Sequence, residues 1–162
     1  MGLALQKEIE KDYVKAVELY EKDIEGKASV ESYSNLAFLY WCFAFELFEF
    51  NIPNNISEVW SKLGGERYSE ILRLGLDKYP NSRELIFWKR YFAHIIFGEN
   101  FTEEDCRQII QTYKDDESIV PYFFLYLFDK KKYVNEKNAL LIQCNKTPVA
   151  KFLYIKSVLN NS

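Results

Sequence analysis

The chain is poor in the residues that most often carry chemistry or punctuate a fold. Its 162 residues include one His, one Met, three Cys, four Pro and six Gly. A single His argues against His-rich metal sites and His-based proton relays. So few Gly and Pro exclude a collagen-like, low-complexity or turn-dense all-β chain. Cys42, Cys106 and Cys144 are far apart, odd in number and never spaced C-x-x-C. That removes zinc-knuckle and thioredoxin-type motifs and leaves three reduced thiols. Long apolar runs are missing too. Leu36 to Phe45 is the longest uncharged one, and Pro121 interrupts a second from Ile119 to Phe128. A membrane-spanning helix needs about 20 such residues. Leu3-Ala4-Leu5 meets charge at Lys7 and Glu8, too soon for a secretory leader. The expectation is a cytoplasmic protein with no membrane or nucleic-acid partner, no cofactor, no metal and no enzymatic activity.

What is abundant is aromatic: 13 Phe, 12 Tyr and 3 Trp, in a chain that is 48% hydrophobic. This length and apolar content support one domain, residues 1–162, with a sizeable core. Apolar residues recur at helical spacing throughout, and strict alternation is almost absent. Eight helices are predicted: about 4–25, 30–50, 57–79, 83–97, from 102, 119–130, 133–143 and 148–159. The first is amphipathic, with Glu18 and Lys22 a favourable pair, and Gly26 ends it. The second is apolar almost all round and should be the most buried. Gly64-Gly65 either breaks the third helix or marks a close approach of a neighbouring backbone. Four Asn-x-Ser/Thr triplets occur, and in three of them Ser57, Thr102 and Thr147 read as helix caps rather than glycosylation signals. Short polar loops make consecutive helices antiparallel neighbours, stacked as hairpins.

No sequence motif announces catalysis. H-E-x-x-H, EF-hand, Walker A and G-x-G-x-x-G patterns are all missing. His94 lies in an apolar helix and reads as structural. Glu46 and Glu49, three apart, share one side of a helix, and paired carboxylates can perform acid–base work, although a helix end exposed to solvent explains them as well. Lys130-Lys131-Lys132-Tyr133 is a basic run that suits the end of an apolar helix.

Tyr33-Ser34-Asn35-Leu36-Ala37-Phe38-Leu39-Tyr40 resembles the first helix of a tetratricopeptide repeat. That family places a large aromatic, then Leu beside a small residue, then Tyr, at these spacings. Gly75-Leu76-Asp77-Lys78-Tyr79-Pro80 looks like the end of a second repeat helix, and Asp12 to Tyr20 resembles another. The spacing departs from the family: about 52 residues separate Ser29 from Pro80, against roughly 34 in one repeat. Residues 101–162 match only as alternating helices. The resemblance implies an all-α, right-handed array of helical hairpins, the alternative being an irregular α-bundle. It also implies a concave groove for a protein or peptide partner. Carried over by position, the groove residues are Glu31, Ser34, Phe38, Trp41 and Cys42, although so apolar a helix suits Phe38 and Trp41 better to the core.

Charge suggests a second functional reading. Residues 1–50 carry a net −5 and residues 118–162 a net +5. An immunity-type inhibitor, occluding the active site of a cognate toxin, would use an acidic face containing Glu18, Glu21 and Glu25. Fields of this kind speed and orient association. Among the aromatics, Phe38, Trp41 and Tyr133 are where a partner is first sought.

Overall fold

The nearly all-apolar stretch of the second predicted helix becomes the centre of the molecule. The computed structural model describes residues 2–162, and among them all regular structure is helical. The elements are α1 (Leu3–Ile9), α2 (Tyr13–Ile24), α3 (Val30–Phe45), a π-helical turn (Leu47–Asn51), α4 (Glu58–Lys78), α5 (Arg83–Phe97), α6 (Glu103–Thr112), α7 (Tyr122–Phe128), α8 (Val134–Lys146) and α9 (Ala150–Asn160). α3 is buried from Tyr33 through Phe43 without interruption. It packs most extensively on α4, and also on α2, α5 and α9. α9 returns from the far end of the chain to contact both α3 and α7.

The predicted 4–25 helix is two helices. Lys11 adopts φ 66°, and Lys11 N and Asp12 N donate to the carbonyls of Glu8 and Lys7. This closes α1 with a left-handed residue, a position that usually selects glycine. Asp12 then caps α2 through Lys15 N. Glu18 pairs with Lys15 at 3.8 Å rather than with Lys22.

The predicted 30–50 helix ends at Phe45. Glu46 leaves the helical region at ψ 56°, and the chain rewinds into the π turn, where Asn51 N and Ile52 N donate five residues back. Buried Asn51 anchors this turn by donating through Nδ2 to the Phe43 carbonyl at 2.8 Å. That satisfies one of the free carbonyls at the end of α3.

α4 runs unbroken through Gly64-Gly65. A Cβ at position 64 would collide with the Tyr40 carbonyl oxygen, so this glycine lets the backbones of α3 and α4 approach closely. Gly75 plays a milder part against Tyr33 and Leu85, 3.0 Å from where its Cβ would stand.

Thr102 forms a full capping box with Asp105. Ser57 and Thr147 do not cap by side chain; Val149, not Thr147, precedes the first residue of α9. α7 begins at Tyr122 rather than 119, because Ile119 to Pro121 form a turn that Ser118 opens by accepting from Val120 N. Gly98, at φ 69°, ends α5 as expected.

Candidate partner-binding site

Three of the groove residues drawn from the resemblance meet the chain's own last helix. Ser34, Phe38 and Trp41 are buried. The Tyr154 ring of α9 lies 5.4 Å from those of Phe38 and Trp41, and within 6.4 Å of Tyr91 and Phe123. Trp41 also stacks on Phe92 at 5.1 Å. Phe38 and Trp41 are therefore core residues, closed to a partner. Tyr133 is buried as well and donates to Glu103. Cys42 is buried, and burial pushes its thiol well above the usual range, which makes it a hydrophobe rather than a nucleophile.

Beside this aromatic joint lies a buried polar clamp. Lys151 Nζ of α9 donates to Glu84 Oε2 of α5 at 2.6 Å and to Ser34 Oγ of α3 at 3.1 Å. Ser34 donates to the same carboxylate, and Ser118 donates to its other oxygen at 2.8 Å. Burial acts to raise the Glu84 carboxyl, but Lys151, Ser34 and Ser118 together hold it below 4.5. A serine beside a lysine suggests a nucleophile and its base. Here the ammonium is committed to a carboxylate and Ser34 is fully buried, so the arrangement fixes α9 and activates nothing.

Of the acidic residues proposed to face a partner, Glu18 and Glu25 are exposed. Glu21 is not free. It takes two hydrogen bonds from Arg67 of α4, at 2.6 and 2.9 Å, and one from Tyr40 at 2.5 Å. Burial opposes its ionisation, but these donors win and lower its pKa. Glu31 is exposed at the start of α3.

The open feature is at the other end of α3. A groove of about 510 Å³ lies between the π turn, the α1–α2 junction and α9. Its walls include Tyr13, Phe50, Leu153 and Tyr154, with Glu46 and Glu49 among its polar groups. Burial, then the hydrogen bond and repulsion from Glu49, push Glu46 up to about 7. Glu46 is therefore partly protonated near neutrality, and a cation beside it would favour its charged form. In the same turn Phe48 is 78% exposed and Leu47 is exposed too, as are Phe45 before the turn and Ile52 after it. Helix periodicity suggests that Glu46 and Glu49 share a side. It misses that the turn unwinds there and turns Phe48 outward.

Among the described residues no group of three or more His, Cys, Asp or Glu is placed to hold a metal, and no helix is long and apolar enough to cross a membrane. His94 is half-buried, with Nδ1 2.8 Å from the Glu99 carbonyl oxygen. Comparison of the chain with protein-family models, with curated proteins and with solved structures finds no match.

Proposed function

We propose that the chain is a non-enzymatic interaction module, a tetratricopeptide-like helical array that binds a segment of another protein beside the π turn. The observation that carries this reading is the juxtaposition of exposed Phe48, Leu47 and Ile52 with a groove containing Glu46 and Glu49. Apolar side chains held outward on an ordered turn lose hydration on docking, and the carboxylates select a basic residue next to the apolar contact. The close approaches at Gly64 and Gly75 support the hairpin packing, since small residues at helix contacts are what the resemblance leads one to expect. On this reading α9 occupies the face that would otherwise be the groove, and the partner is displaced to the π turn.

The immunity-type alternative relies on the acidic face of α2. Exposed residues there are of both signs, Lys15 and Lys22 against Glu18, Asp23 and Glu25, and Glu21 is tied to Arg67. The charge arrangement thus favours the π-turn reading.

The test is photo-crosslinking from position 48 in cells, with position 142 as control. Ile142 is also strongly exposed, but on α8. The expected result is a discrete crosslinked partner from position 48 alone, lost on Glu46→Gln/Glu49→Gln. Equal products from both positions, or none from 48, would overturn the proposal.

A further inference from the structure

A second pocket, of about 250 Å³, lies where α1, α2 and the start of α3 meet. Its lining is Gly2, Ala4 and Leu5 from one side, Tyr20 and Asp23 from α2, and Ser29, Glu31, Ser32 and Asn35 around α3. Asn35 is 1% exposed; its Nδ2 donates to Tyr20 Oη at 3.1 Å, and that hydroxyl donates to Glu8 Oε1 at 2.8 Å. Its Oδ1 is buried and has no hydrogen-bond partner among the described residues. A buried acceptor left unpaired is costly, and native structures keep few of them. Among the described residues of the lining the charged groups are both carboxylates, Asp23 and Glu31, and neither makes a salt bridge with another described residue.

We infer that this pocket is a binding site for a primary alkylammonium group, with the ammonium among Asn35 Oδ1, Glu31 and Asp23 and the alkyl stem against Ala4 and Leu5. An ammonium carries three N–H donors and no acceptor, which complements an amide oxygen and two carboxylates. The N-terminus of α3 opposes a cation with a partial charge of about +0.5, and two full negative charges outweigh it. The site is at the opposite end of α3 from the π-turn groove and does not depend on the function proposed there. The ammonium belongs either to a free amine or to a lysine side chain of a polypeptide.

The experiment titrates the intact protein with n-butylammonium chloride, with tetramethylammonium chloride and with a short peptide containing one internal lysine. Amide NMR shifts of Ala4, Leu5 and Ser32 and the Asn35 side-chain amide are followed. The expected result is saturable binding of n-butylammonium at these signals, no binding of tetramethylammonium, which has no N–H donor, and about tenfold weaker binding by Asp23→Asn/Glu31→Gln. Those two side chains are exposed, so the double variant tests the site without disturbing the core. Tighter binding of the peptide than of the amine assigns the lysine source, and the reverse assigns a small amine. Shifts that do not saturate, that tetramethylammonium reproduces, or that survive the double variant unchanged would overturn the inference.

Discussion

At position 64 the missing side chain is the contact. Any Cβ there meets the Tyr40 carbonyl oxygen, whereas at Gly65 the nearest outside atom is the Ala44 methyl at 3.9 Å. Two adjacent glycines in one helix therefore respond oppositely to alanine. Gly64→Ala should destabilise by about 2–3 kcal/mol by forcing α3 from α4. Gly65→Ala should stabilise by about 0.5–1 kcal/mol by removing backbone freedom from the unfolded chain. Urea denaturation of the two variants checks this, and a loss of similar size in both would mean that backbone approach is not the cause. The sequence alone leaves a broken helix and a close approach equally open here. The deciding atom belongs to Tyr40, 24 positions earlier in the chain.

At the scale of elements, the helices were legible and their interruptions were not. Periodicity carries straight through Lys11 and Glu46, yet both residues leave helical geometry. Lys11 carries no glycine signal for its left-handed φ, and the π turn retains an apolar composition. Ser34, Phe38 and Trp41 were picked out by the resemblance as residues that face a binding surface, and each does contact a helix. That the helix is α9 follows from the return of the chain, which spacing within α3 does not reveal. Glu21, read as part of an acidic outer face, is turned to Arg67 by the same tertiary packing. Glu84 and Lys151 tie α9 to α5, and a buried charge without its partner is strongly unfavourable. Lys151→Met should cost about 3–5 kcal/mol, and adding Glu84→Leu should recover much of it. Thermal or urea unfolding of the single and double variants measures the coupling. Strictly additive losses would place the energy in packing instead of the ion pair.

For the whole molecule, the balance of its carboxylates sets the pH at which it is most stable. Burial raises Glu8 from 4.5 to about 7, against the Ala150 N–H and Tyr20 hydrogen bonds that lower it. Glu46 is raised to about 7 as well. Between pH 4.5 and 7 the folded chain holds more of these protons than the unfolded chain, so stability falls as pH rises across that window. Glu21 and Glu84 are held below 4.5, and their contribution is lost only as pH falls beneath it. Greatest stability is thus expected near the lower edge of the window. For fully buried Glu8 the decline is on the order of 3 kcal/mol; Glu46, which is partly exposed, adds less. Urea midpoints at pH 5 and 7.5 should differ clearly in the wild type and much less in Glu8→Gln. A wild-type midpoint that is flat or higher at pH 7.5 would contradict the assignment.

The Glu8 carboxylate accepts the first N–H of α9 at 2.8 Å, across 142 positions of the chain. The ring of Tyr154 is likewise wedged among α3, α5 and α7. On the ribosome the keystone is thus made after the arch. Until α9 emerges, the helices already synthesised hold an unfilled aromatic face and a buried glutamate without its backbone donor. The nascent chain spends that interval with its stickiest surface uncovered, when a partly folded chain is most prone to aggregate.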